Sequence, residues 1–203
     1  VLMGEDGRAS GQMIRFALSA GLLGRGIHVV NGGLLPTPAL AYLTTRRSFT
    51  AGVMISASHN PAEHNGIKLF GRDGAKLPDE LEDRIEALLE AQEPAPPPEA
   101  PGTAKRDESV VETYRRFLTE EQVPDLFLGS FRIVLDCANG AASVVAPEVL
   151  RALGAQLHAC NFQPDGTNIN RKCGSTHASL LSPLVRGEKA DLAICLDGDG
   201  DRC

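Results

Sequence analysis

No apolar run in the sequence reaches the ~18–20 residues that a membrane-spanning helix requires, so no bilayer span is expected. An excess of basic charge is missing too. Twenty lysines and arginines stand against twenty-six acidic residues, a formal net charge of −6, which speaks against broad binding to nucleic acid or to anionic membranes. An anionic substrate stays admissible, because a few local donors or a metal ion can hold a phosphate. The five cysteines (Cys137, Cys160, Cys173, Cys195 and Cys203) contain no C-x-x-C pair, which removes zinc-ribbon and thioredoxin-like readings. Cys137 and Cys195 lie in apolar, strand-like runs and are expected to be small buried hydrophobes. An odd count without pairing fits a reducing, cytoplasmic setting. Polar fringes are also absent at the ends. Val1 already lies in an apolar run and Cys203 follows an acidic loop, so a piece of a longer chain is expected.

What is present is the composition of an ordinary soluble globular protein, 42% hydrophobic and 23% charged. Its 203 residues suffice for one large or two small domains with real cores. A polar, glycine-rich loop from Gly4 to Gly11 precedes an amphipathic helix with Met13, Phe16, Ala17, Ala20 and Leu23 on its inward face, ended by Gly24 or Gly26. A short strand is expected at 27–30. Thr37 is placed to cap a second helix with Pro38 at its first position. Strands follow at 52–55 and 67–70, then a helix over 81–91 with Leu81, Ile85, Leu88 and Leu89 on one face. The proline-rich stretch 93–102 can continue neither a helix nor a central strand and reads as an exposed connector.

The same grammar then repeats, with helices expected near 107–118, 144–153 and 178–186 and strands at 131–136, 155–159 and 191–196. Alternating strands and helices of this length predict an α/β fold of two consecutive domains. Each is expected to have a mixed, largely parallel sheet flanked by helices. The expected division is a first domain at 1–92, a connector at 93–104 and a second domain at 105–203.

Two stretches carry chemistry. The strand at 52–55 runs into Ser56-Ala57-Ser58-His59-Asn60-Pro61, a sharp turn at a strand's carboxyl end, where open α/β sheets place their reactive groups. Taken alone, Ser58 could be a turn serine bonding its own backbone. A Ser–His–Asp hydrolase is poorly supported, since the sequence is not G-x-S-x-G. His59 alone reads as a structural hydrogen-bonding residue, and Lys68 as either a phosphate partner or acid/base, or a solvated lysine. Arg8 with Ser10 could brace the serine loop or bind phosphate. At the far end, Asp197-Gly198-Asp199-Gly200-Asp201-Arg202 brings three carboxylates toward one point. Such charges repel unless a cation neutralises them, and oxygen-only ligands favour Mg²⁺ or Ca²⁺. The alternative is a solvated acidic turn. An EF-hand is a poor match, because its sixth position, which should be Gly, is Arg202 and no helix precedes it.

The order S-x-S-H-N-P, N-G-I-K and D-G-D-G-D-R resembles the α-D-phosphohexomutase family over essentially the whole chain. The resemblance implies that Ser58 carries a phosphate and that Asp197, Asp199 and Asp201, with a phosphoserine oxygen of Ser58, hold Mg²⁺. It implies phosphoryl transfer through a sugar 1,6-bisphosphate, with Ser58, Lys68 and His59 as catalytic residues, Lys68 the acid/base, and Arg8 and Arg202 binding phosphate or substrate. The stretches 136–142, 164–170 and 173–177 are similar to those of bacterial members that interconvert glucosamine 6-phosphate and glucosamine 1-phosphate. Phosphomannose or phosphoglucose substrates are the alternatives within the family. Outside it, the alternatives are a phosphatase using Asp197 as nucleophile and a non-catalytic module for divalent metal or sugar phosphate. Glu5 and Gly7 depart from the family's usual Arg and Thr, and His64 from a common Asp. Family members have four domains, so a chain of this extent is expected to lack turnover by itself. The preferred hexose phosphate and the oligomeric state stay open.

Overall fold

The computed structural model describes residues 1–91 and 98–203. Its first sheet has the strand order β4-β3-β1-β2-β5, built from β1 (Leu2–Glu5), β2 (Val29–Leu34), β3 (Gly52–Ile55), β4 (Ile67–Phe70) and β5 (Ala104–Arg106). β1 runs parallel to β2 and β3, β5 runs parallel to β2, and only β4 is antiparallel. Successive residues of a strand face opposite sides, and the apolar runs use both. Leu2, Val30 and Met54 pack against α2 (Thr37–Arg46) through Leu40 and Leu43. Met3, Val29 and Val53 face Leu18, Leu22 and Leu23 of α1 (Gly11–Leu23), which ends at Gly24.

The inward face expected for α1 is corrected by this packing. Met13 and Phe16 are 68% and 57% exposed, and Ala17 and Ala20 are exposed as well. The helix carries two apolar stripes at compatible spacing, and the sheet takes the one bearing Leu18 and Leu22, so that of the expected face only Leu23 packs inward. In α3 (Asp79–Ala91) the expected face is also largely solvated. Leu81, Leu88 and Leu89 are exposed, and only Ile85 reaches a groove of about 640 Å³ lined by Val1, Leu22, Leu69, Phe70 and Leu77. Thr37 does not cap α2 with its side chain; Pro36 holds the cap position and the Thr37 hydroxyl points elsewhere.

The stretch expected as a connector, 93–102, lies outside the described residues up to position 97. Beyond it the chain returns to the first sheet. β5 is three exposed residues on the sheet edge, and the Val110 and Tyr114 side chains of α4 (Ser109–Arg116) enter the core beside Leu40 and Leu43. The first sheet therefore uses residues that the sequence reading assigned to the connector and the second domain. A π-helical turn, Phe117–Gln122, follows.

The second sheet has the order β7-β6-β8, from β6 (Arg132–Asp136), β7 (Gln156–Cys160) and β8 (Leu192–Cys195), all parallel. α5 (Ala146–Ala152) and α6 (Ser182–Glu188) accompany it, each preceded by a 3₁₀ turn, at Ala141–Val144 and Ser175–Leu181. Ala141 and Val145 belong to the same buried cluster as Leu2, Leu40 and Tyr114, so the two α/β units share one core. Among the described residues no helix is long and apolar enough to cross a membrane.

Candidate functional site

β3 ends at Ile55, and the turn that follows is fixed from below by its own side chains. The Ser58 backbone N–H donates to Ser56 Oγ at 2.8 Å, and Ser56 Oγ donates to Asp6 Oδ2 at 2.6 Å. Ser58 adopts a left-handed backbone, φ 53°, which a residue bearing a Cβ holds only when its surroundings over-determine it. Arg8 supplies much of that constraint. Its Nε pairs with Asp6 at 2.9 Å with both side chains fully buried, and its Nη2 donates to the carbonyls of Ser58 and Asn60 at 2.9 Å each. Its Nη1 donates to the carbonyl of His64 at 2.8 Å and also to that of Pro61. Every terminal nitrogen of this guanidinium is thus committed to backbone oxygen. Burial pushes the Asp6 carboxyl above its usual range, although the hydroxyl of Ser56 and the charge of Arg8 pull the other way.

The acidic loop reaches the serine from the end of β8. Ser58 Oγ donates to Asp197 Oδ2 at 2.7 Å, and the Arg202 guanidinium contacts Ser58 Oγ, Asp197 Oδ2 at 3.1 Å and His59 Nδ1 at 2.8 Å. Lys68 on β4 places Nζ 2.6 Å from Asp199 Oδ2 and 3.3 Å from Asp201 Oδ2. Thr37, at the start of α2, donates its hydroxyl to Asp199 Oδ2 at 2.6 Å and its backbone N–H to the Asp199 carbonyl at 2.9 Å. The loop comes so close that Gly198 has no room for a Cβ, which would stand 2.6 Å from the Ser58 carbonyl.

Asp197, Asp199 and Asp201 each offer an oxygen within 4.8 Å of the others, and the first two are fully buried. Burial opposes the ionisation of Asp197 and Asp199. For Asp197 it wins over the bond from Ser58, helped by the neighbouring carboxylates, and the pKa is raised. For Asp199 the hydrogen bonds from Lys68 and Thr37 outweigh burial and the pKa is lowered. Lys68 is correspondingly held as an ammonium: burial lowers its pKa, but Asp199 and Asp201 raise it further. Within this cluster, Asp199 Oδ1 is buried and has no hydrogen-bond partner among the described residues, which is costly for a carboxylate. A hard divalent cation would satisfy it, and three carboxylates are the donor set such a cation prefers. The residues present fit a metal ion.

Of the residues singled out from sequence, Ser58, His59, Lys68, Arg202 and the three aspartates converge on one point, while Arg8 sits behind the turn. Ser56, Asp6, Thr37 and Asn170 also support the site and were not identified as such. Short polar residues in turns have many local uses, and nothing in their spacing distinguishes a contact made across the fold.

Two α/β/α units meeting at a serine turn and an aspartate loop define the phosphohexomutase architecture. Residues 1–95 match the family described as phosphoglucomutase/phosphomannomutase, alpha/beta/alpha domain I, and residues 112–203 match its domain II. The chain belongs to the phosphoglucomutase/phosphomannomutase family. It is 48% identical over 205 residues to a phosphoglucosamine mutase of Symbiobacterium thermophilum, covering all of this chain and 45% of the relative. A phosphoglucosamine mutase of Nitrosospira multiformis is 48% identical over 202 residues, with 44% of its length covered. The chain thus spans under half the length of these curated relatives. A crystal structure of a phosphoglucomutase/phosphomannomutase family protein from Burkholderia thailandensis superposes with a TM-score of 0.81 at 26% identity, over 99% of this chain and 44% of the other. Aspergillus fumigatus N-acetylphosphoglucosamine mutase, solved in complex with GlcNAc-6P and magnesium, shares the fold at TM-score 0.52 and 20% identity, over 80% of this chain and 45% of that one.

Proposed function

We propose that the protein containing this chain is an isomerase that interconverts glucosamine 6-phosphate and glucosamine 1-phosphate through a phosphorylated Ser58. The carrying observation is the placement of Ser58 Oγ at 2.7 Å from Asp197, inside a ring of three aspartates, Lys68 and Arg202. Phosphoryl transfer needs alignment and charge neutralisation more than covalent activation, and this ring supplies both.

Phosphoserine 58 gives its phosphoryl group to a sugar-phosphate hydroxyl: the bond from phosphorus to the serine oxygen breaks as one to the sugar oxygen forms. A proton leaves the sugar hydroxyl and one arrives at Ser58 Oγ. Lys68, held as an ammonium by the same carboxylates, is assigned as the acid that gives a proton to Ser58 Oγ as the phosphoryl group leaves, and the neutral amine so formed takes up the proton released by the sugar hydroxyl. The resulting bisphosphate turns over and returns its other phosphoryl group to Ser58. Arg202 places positive charge at the serine oxygen, and His59 orients Arg202 through its Nδ1. Arg8 braces the turn instead of meeting substrate. Asp197, Asp199 and Asp201, with an oxygen of phosphoserine 58, would hold Mg²⁺, and the ion when bound supplies charge at the transferring group.

Support for the amino sugar comes from the phosphoglucosamine mutases named above. The test uses the full-length gene product with glucosamine 6-phosphate, magnesium and a trace of glucosamine 1,6-bisphosphate, following product by phosphorus NMR. Formation of glucosamine 1-phosphate, with kcat/KM above that for glucose and mannose phosphates, is expected. Phosphate mapped to Asp197 instead of Ser58 would overturn the proposal in favour of a phosphatase.

A further inference from the structure

Asn170 lies on the loop after β7 in the second unit, with its side chain buried against the serine turn of the first. Its Nδ2 donates to the Ser58 carbonyl at 2.8 Å and to the Asn60 carbonyl at 3.0 Å. These are the same two oxygens that Arg8 Nη2 binds. The turn is therefore gripped through one pair of carbonyls by two side chains, a guanidinium from the loop after β1 in its own unit and an amide from the other unit. Asn170 is itself fixed, in a left-handed conformation at φ 57°, with its backbone N–H donating to the Ala138 carbonyl at 2.9 Å. Its Nδ2 also borders the aspartate loop, since a Cβ on Gly198 would lie 2.8 Å from it.

We infer that Asn170 is a positioning residue that holds the Ser58 turn in register with the Asp197–Asp201 loop across the junction of the two units. Arg8 alone ties the turn to its own sheet and carries no information about the loop that must face it. Among the described residues, Asn170 is the side chain that bonds the Ser58 and Asn60 carbonyls from the half of the chain bearing the aspartates. What the registration is for rests on the phosphoryl-transfer proposal; the clamp itself does not.

The test compares the full-length parent with Asn170→Gly and Asn170→Asp. Glycine keeps the left-handed backbone and deletes the amide; aspartate keeps the shape but turns an acceptor toward two carbonyls. The readouts are hydrogen–deuterium exchange over residues 57–62 and the kcat and KM for glucosamine 6-phosphate. In both variants exchange in that segment should quicken about tenfold or more, and kcat should fall about tenfold or more with KM held within about twofold. Parental exchange and kcat in Asn170→Gly would overturn the inference, leaving Asn170 a left-handed turn residue only. A lowered kcat with unchanged exchange would overturn it as well. If the parent turns over no hexose phosphate while exchange still quickens in the variants, the clamp stands and the proposed function fails. Should Asn170→Asp not fold, the glycine variant decides alone.

Discussion

Ser58 and Asp197 are 139 residues apart in the chain and are joined by a 2.7 Å hydrogen bond between fully packed neighbours. Neither unit makes the site by itself. The serine turn belongs to the first sheet and the aspartate loop to the second, and the core they share through Ala141, Val145, Leu40 and Tyr114 sets the distance between them. Consequences for substitution follow from which half of this junction a residue serves.

With Ser58 as the proposed phosphoryl carrier, Ser58→Ala in the full-length protein should abolish phosphorylation and lower mutase kcat roughly a thousandfold or more. Intact mass with phosphosite mapping, alongside turnover, checks it. Retention of most activity would refute the assignment of Ser58.

Asp199→Asn should leave the fold intact, since the amide oxygen can still accept from Thr37 and Lys68, while weakening the cation site. The magnesium concentration for half-maximal activity should rise roughly tenfold or more. Superimposable magnesium titrations of variant and parent would mean that Asp199 holds no metal.

Arg8→Met tests the strut behind the turn. It leaves the Asp6 carboxylate buried without its partner and strips donors from four carbonyls. A loss of about 3–5 kcal/mol in unfolding free energy is expected. Adding Asp6→Asn should recover part of it, because no unpaired charge is then left inside. Urea denaturation of the parent and both variants measures this; an unchanged midpoint for Arg8→Met would contradict the strut.

Cys137 and Cys173 are buried, and burial pushes both thiols up to about 12. Since the thiolate is the reactive form, neither should react with a thiol-specific reagent at pH 8 until the protein is unfolded. Peptide mapping after timed labelling would show this. Rapid modification of Cys173 in the native state would place it nearer to solvent than the structure does.

Much of this was legible in the sequence where a single pattern had one outlet. β3 and β4 are legible to the residue, because each is a short stretch bounded by turn-forming residues, all apolar in β3 and with Lys68 as the one polar residue in β4. The inward faces of α1 and α3 were legible only at Leu23 and Ile85. α1 offers two apolar stripes, and only docking against Met3, Val29 and Val53 selects Leu18 and Leu22 over Met13 and Phe16. β5 could not be read at all: Ala104–Arg106 is three exposed residues with no alternation, a strand only because β2 has a free edge beside it.

The sequence by itself determined the chemistry available: a serine at the end of a buried strand, three aspartates spaced by glycines, and a lysine and an arginine near them. Residue type and local spacing suffice for that, since they decide where a chain turns and which atoms can carry charge or phosphate. Only the tertiary structure decided who faces whom. It turned Thr37 from an expected cap into a partner of Asp199, and Arg8 from a possible phosphate ligand into a fully used strut. It also brought Asn170 onto the Ser58 carbonyl from 112 residues away. The physical reason is the same in each case. A polar side chain takes whichever partner the closed core leaves within reach of it as water is excluded, and that partner is a property of the packed units and not of the neighbouring sequence.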